Sequence, residues 1–166
     1  VDGQPLGEKN PKWLQDDYVK FIRLGQFYVE EATTGVLAFI SNHGYLDNPT
    51  FRGMRQQLMR AFTEIRLLDL HGNSKKKEKA ADGSKDENVF DIMQGVAIGA
   101  FVRVPAAGRQ PTVDHSDLFG PRQDKYRTLS STSPATTRTE SLQPSSPFFL
   151  FIPQSVELRA EYEAWY

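Results

Sequence analysis

Tyr18, Phe21, Ile22, Gly25, Tyr28, Val29 and Ala32 recur at i, i+3, i+4 and i+7. That spacing gathers them on one stripe of an amphipathic helix about four turns long. Thr33-Thr34-Gly35 ends it. Val36 to Ile40 (VLAFI) is a short unbroken apolar run between turn residues, which predicts a strand covered on both faces. At Asn48-Pro49 the amide can cap a second helix and the proline suits its first position. Met54, Leu58, Ala61 and Phe62 would line its buried side. Glu64 to Leu70 (EIRLLDL) reads as a strand, the polar stretch from His71 to Glu87 as a long loop, and Gly95 to Val104 (GVAIGAFVRV) as a further strand.

Helix, strand, helix, strand, loop, strand is an α/β order with a parallel sheet. Its last strand arrives without a helix and should run antiparallel to the strand before it. In open sheets of this kind ligands sit beyond the carboxyl ends of the strands. Ser41 to Asp47 and the start of the His71 to Glu87 loop would then form the working face. From Pro105 to Pro147 the chain turns rich in Pro, Ser, Thr and Gln and predicts an irregular connector. An apolar strand (FFLFI, Phe148 to Ile152) and an acidic helix from Ser155 to Tyr166 should follow. The expected divisions are a lead-in over 1–15, the main unit over 16–104 and a C-terminal extension over 105–166, with no internal repeat.

At 166 residues there is room for one core. A net charge of −1 excludes a uniformly basic nucleic-acid binder, so any DNA contact has to be local. The absence of cysteine excludes disulfides and thiolate metal sites and fits a reducing cytoplasm. FFLFI is far short of the ~20 residues that span a membrane. A start at Val1 with neither initiator Met nor signal peptide leads us to expect a fragment of a larger protein.

Asn42, His43, Tyr45, Asp47 and Asn48 crowd polar groups ahead of a helix start, either to line a ligand cleft or simply as loop and cap chemistry. His43 has no second His, Cys or carboxylate at ligand spacing, so no metal site is expected. Lys75, Lys76, Lys77 and Lys79 are nearly balanced by Glu78, Asp82, Asp86 and Glu87; a solvated loop and a DNA-backbone contact are both open. Phe90, where the loop re-enters the sheet, is either core or a stacking platform. There is no phosphate loop, nucleophile elbow or paired-carboxylate site.

Five stretches, DDYVKFIRLGQ, GVLAFISNHGYLDNPTFRGMRQQLM, IRLLDLHGNSKKKE, DGSKDENVFDIMQGVAIGAFVR and HSDLFGPRQDKY, closely resemble the methyltransferase region of single-polypeptide type I (type ISP) restriction-modification enzymes, as does PFFLFIPQ. The resemblance implies the C-terminal half of a class I, S-adenosylmethionine-dependent adenine-N6 DNA methyltransferase, a partial Rossmann-like sheet of parallel strands plus a terminal antiparallel strand. That family depends on a glycine-containing cofactor loop and an Asn/Asp-Pro-Pro-aromatic tetrapeptide, and neither occurs in these residues. Asn10-Pro11-Lys12-Trp13 has Lys12 where the second proline belongs and should only lead into the first helix. Carried over by position, Tyr18 and Phe21 would wall the cofactor pocket, or else pack in the core. Asn42, His43 and Tyr45 would flank the target-base cleft, and Asn88 to Phe90 would place Phe90 on a flipped adenine. Double-stranded DNA would be met through a bacterial, cytoplasmic parent protein. The piece alone should be inactive, should not bind the cofactor and should self-associate through a cut sheet edge. The competing reading is a non-catalytic coupling module of a restriction-modification protein.

Overall fold

Asp16, in an extended conformation, opens helix α1 (Asp17–Glu31), and the left-handed Thr33 (φ 63°) turns the chain out of it. The computed structural model describes residues 1, 3, 5–7, 11–76, 78–80, 82–104 and 110–154. Ahead of α1 lies a 3-10 turn (Pro11–Gln15), so Pro11, Lys12 and Trp13 do lead into the helix, while Asn10 is outside the described residues. The buried line of α1 is rotated from the expected stripe. Ile22 and Gln26 face inward with Val19 and Val29 beside them, whereas Phe21 and Tyr28 are 57% and 64% exposed. The close approach of Leu37 sets this angle, since a Cβ on Gly25 would lie 2.5 Å from its Cδ1. Phe21, about 100° round from Ile22, is thereby left on the helix flank.

The remaining elements are β1 (Gly35–Asn42), α2 (Arg52–Ala61), β2 (Glu64–Asp69), β3 (Val96–Arg103), β4 (Thr112–Asp117), α3 (Arg122–Ser131) and β5 (Glu140–Leu142). They form one sheet in the order β1-β3-β2-β4-β5. β3 is antiparallel to β1 and to β2, β2 is parallel to β4, and β4 is antiparallel to β5. The sheet is therefore mixed and mostly antiparallel, with one parallel pair. β1 and β2 run the same way across the α2 connection, as expected, but β3 is inserted between them.

Asn48 caps the entry to α2 as the sequence predicts, its Oδ1 accepting from Thr50 N at 2.9 Å with Pro49 next. α1 and α2 cover one sheet face, where Ile22, Leu58, Phe62, Ile65, Leu67, Phe101 and Phe151 are fully buried. On the other face α3 brings Leu129 onto Leu68 and Ile98, beside a smaller buried group of Leu70, Val89 and Val96. A buried cation ties the helical layer together. Arg55 donates to Tyr45 O, Asn48 O and twice to Phe148 O at 2.7 to 3.0 Å, and burial pushes its pKa down to about 10.

Three expectations are corrected. VLAFI is not covered on both faces, because Val36, Ala38 and Ile40 point away from α1 and α2 and stay exposed on the opposite face, at the edge strand of the sheet. The Pro105 to Pro147 stretch is not irregular throughout, since it supplies β4, α3 and β5, and the sheet runs across the expected boundary at 104. FFLFI is not a strand. Phe149 is left-handed (φ 51°), Phe148 O is taken by Arg55, and Phe151 is fully buried in the core with Ile152 packed partly against it, the Phe151 amide bonded to Leu46 O at 2.9 Å. The expected acidic helix over 155–166 lies outside the described residues.

With its backbone edge open among the described residues and Val36 and Ile40 63% and 43% exposed, β1 is a template for pairing. We expect light scattering to show concentration-dependent self-association of the chain that Ile40→Lys reduces; a monodisperse monomer at high concentration would contradict this.

Candidate functional site

The carboxyl ends of β1, β2 and β4 and the amino end of β3 meet at one edge of the sheet. The chain's three histidines converge there with four carboxylates, Asp47, Asp69, Glu78 and Asp117, around a single cleft. His43, just after β1, places Nδ1 at 3.0 Å from Asp69 Oδ1. The same oxygen accepts the His71 amide at 2.8 Å. His71 Nε2 lies 2.7 Å from Asp117 Oδ1, and His115 Nε2 lies 3.1 Å from that atom. The His71 ring also stacks on Phe119, centroids 3.7 Å apart. His71 (φ 52°) and Gly72 (φ 81°) are both left-handed, so the chain reverses sharply on leaving β2. A Cβ on Gly72 would lie 2.4 Å from Asn88 Cα, so only glycine permits the two ends of the long loop to touch.

Burial opposes a charge on His43, but the hydrogen bond and negative charge of Asp69 outweigh it and raise its pKa from 6.5. Partial burial would raise Asp117, yet hydrogen bonds from His115 and His71 prevail and hold its carboxyl well below the usual carboxylate range. His43, His71 and Glu78, and likewise Asp69, His71 and Asp117, bring ligand-type atoms within 4.8 Å of one another. The fold thus supplies partners for His43 that lie far away in sequence. The shortest contacts among them are hydrogen bonds of the protein with itself, so the cluster is a protein network in which histidines and carboxylates alternate.

Beside it lies a second cleft, lined among others by Gly72, Asp86, Asn88, Phe90, Met93 and Arg122. Asn88 is buried, its amide donating to Gly72 O and Gln94 O at 3.2 and 2.6 Å while its oxygen accepts from Phe90 N at 2.9 Å. Val89 is buried too, and Phe90 is 44% exposed, so the open choice between core and platform falls to an outward ring. A fully buried ion pair, Lys125 Nζ to Asp86 Oδ1 at 2.7 Å, locks this loop to α3. Lys125 also donates to Leu70 O and Glu87 O, and Asp86 accepts from Gly72 N and Gly120 N.

The other sequence-derived candidates are placed as follows. Tyr18 packs against the Tyr45 and Phe51 rings, centroids 6.4 and 6.2 Å away, and burial raises its pKa. Tyr45 is 1% exposed and cannot offer a ring to a base; it is core. Asn42 accepts from Gly44 N at 2.8 Å, which is cap chemistry. Phe21 is exposed on the surface of α1. Lys76 pairs with Asp47 at 3.2 Å. Asp69, His71, His115, Asp117, Asp86, Arg122, Lys125 and Tyr126 were not singled out from sequence. The signal for the last three is the i, i+3, i+4 spacing after Pro121.

No protein-family model matches the chain, and no curated protein matches it in sequence. Solved structures do. The DrdV–DNA complex, seen by cryo-electron microscopy, aligns with 87% of this chain at TM-score 0.72 and 25% identity. The ATP-dependent type ISP restriction-modification enzyme LlaBIII bound to DNA aligns with 84% at TM-score 0.68 and 25% identity. This chain is similar to a segment of type ISP restriction-modification enzymes. A nuclease-deletion mutant of another, LlaGI, in complex with a DNA substrate mimic, shares the fold at TM-score 0.68 and 24% identity over 80% of this chain. The chain spans only 14%, 10% and 13% of those three polypeptides. No helix among the described residues is long and apolar enough to cross a membrane.

Two measurements check the site's energetics. Lys125→Met should lower the unfolding free energy by about 3–5 kcal/mol in urea titration, because it strands the Asp86 carboxylate. Adding Asp86→Leu should not restore it, since the Gly72 and Gly120 amides then lose their acceptor. For pH, a raised folded-state pKa makes the His43 contribution complete below 6.5 and lost as pH rises through the folded value. The depressed Asp117 acts oppositely: its contribution is present above 3.8 and lost as pH falls through its folded value. We expect the urea midpoint to fall as pH rises above neutrality, and to fall less in His43→Gln.

Proposed function

We propose that this chain is part of a DNA adenine-N6 methyltransferase of a restriction-modification system, in which it supplies the aromatic platform for the flipped base. The observation that carries the reading is Phe90: an exposed ring directly after the buried, hydrogen-bonded Asn88 and the buried Val89, at the strand tips where α/β sheets take ligands. Similarity to the DrdV–DNA complex and to the DNA-bound type ISP restriction-modification enzyme LlaBIII supports the DNA context.

S-adenosylmethionine, when bound, would supply the methyl group. Of the two residues expected to wall its site, only Phe21 has a ring free to touch it, because Tyr18 is engaged with Tyr45 and Phe51. This chain's contribution would otherwise be to the base. Phe90 would stack on the adenine face and lower the cost of holding it out of the duplex, which only a preset ring does well. The acidic and histidine-rich network at His43 to Asp117 would line the neighbouring wall and hold the loop after β2 in place. The experiment is methyl transfer from labelled S-adenosylmethionine to DNA by the parent polypeptide. Phe90→Ala should cut kcat/KM by about 5- to 150-fold, from a stacking energy of roughly 1–3 kcal/mol. Undiminished transfer would remove the role of Phe90. A parent that binds no S-adenosylmethionine in calorimetry would favour the non-catalytic coupling module.

A further inference from the structure

Four consecutive backbone carbonyls, those of Glu87, Asn88, Val89 and Phe90, are each capped by a side chain from one face of α3. Lys125 Nζ donates to Glu87 O at 2.7 Å, Arg122 Nε to Asn88 O at 2.7 Å, the Tyr126 hydroxyl to Val89 O, and Arg122 Nη2 to Phe90 O at 3.0 Å. The three residues stand at i, i+3 and i+4 and so share a face. A strand in a sheet would have such carbonyls taken by a neighbouring strand, and an ordinary connector would leave them to water. This segment does neither.

We propose that Arg122, Lys125 and Tyr126 form a clamp that fixes the backbone of residues 87–90 and thereby aims the Phe90 ring; they are positioning residues. The remaining constraints agree. Val89 is sealed in the small core with Leu70 and Val96, and Asn88 spans from Gly72 to Gln94, so Phe90 is the first side chain of the segment free to turn outward. Arg122 also pairs with Asp91 at 2.7 Å, which extends the hold one residue past the ring. The fork of a guanidinium reaches two carbonyls in fixed geometry, which a lysine at 122 could not do. Arg122 and Lys125 are thus committed to main-chain oxygens, and the clamp's work is orientation of the loop.

Its bearing on base recognition rests on the function proposed for Phe90, but the clamp can be tested apart from it. In the full chain, para-fluorophenylalanine placed at position 90 should give one narrow fluorine NMR line. Tyr126→Phe, which removes a single hydroxyl, and Arg122→Lys should each split or broaden that line while the far-ultraviolet circular dichroism stays unchanged. An unchanged line in both variants would overturn the clamp whatever else is found. For function, a single-stranded oligonucleotide carrying 2-aminopurine reports stacking by fluorescence quenching without a flipping cost. Tyr126→Phe should weaken its binding about fivefold, as expected for one lost hydrogen bond. The same change made in Phe90→Ala should add nothing, because the clamp acts through that ring. Full additivity would overturn the assignment as positioning residues. Quenching that survives Phe90→Ala, with the line split as expected, would uphold the clamp and refute the base-stacking role.

Discussion

Lys125 and Asp86 are both wholly removed from solvent, and the 2.7 Å contact between them joins three parts of the chain that no strand pairing connects. Through Lys125 the pair holds the last carbonyl beyond β2, at Leu70, and the Glu87 carbonyl of the long loop. Through Asp86 it holds the amides of Gly72 and of Gly120, in the turn before α3. An isolated buried charge is costly, and a pair repays that cost only when its other hydrogen-bonding positions are filled. Here they are filled by main-chain groups, so the electrostatic requirement also dictates where the loop must run. The alternative, an apolar pair of similar volume, would leave four backbone groups without partners.

Two different uses of polar chemistry therefore meet at the strand tips. On one side His43, Asp69, His71, Asp117 and His115 are joined by hydrogen bonds between ring nitrogens and carboxylates, which raise the pKa of His43 and lower that of Asp117. On the other, α3 spends its cations and a phenol on backbone oxygens to stiffen a segment that lacks strand partners. Gly72 is the hinge between the two, its left-handed backbone and missing Cβ bringing the end of β2 against Asn88.

The periodic apolar positions were enough to announce α1, α2, β2 and β3, the Asn48-Pro49 cap and the antiparallel arrival of β3, because each depends on burying one face or filling one helix end. The loops after β1 and β2, where the sheet order led us to expect the working face, line a common cleft. What the apolar positions could not reveal is α3, whose most buried residue is Lys125 and whose helical pattern is polar; a search for an apolar stripe passes over it. Nor could spacing alone tell that Tyr45 is core and Phe90 outward, since an aromatic ring suits either environment and only packing chooses. His43 lacked a partner in sequence because Asp69 is 26 residues away, a separation closed by strand order alone. Local pattern determined α1, α2 and the strands β1, β2 and β3; the insertion of β3 and the burial of a charged pair decided which side chains meet, because those contacts exist only after distant segments have been brought together.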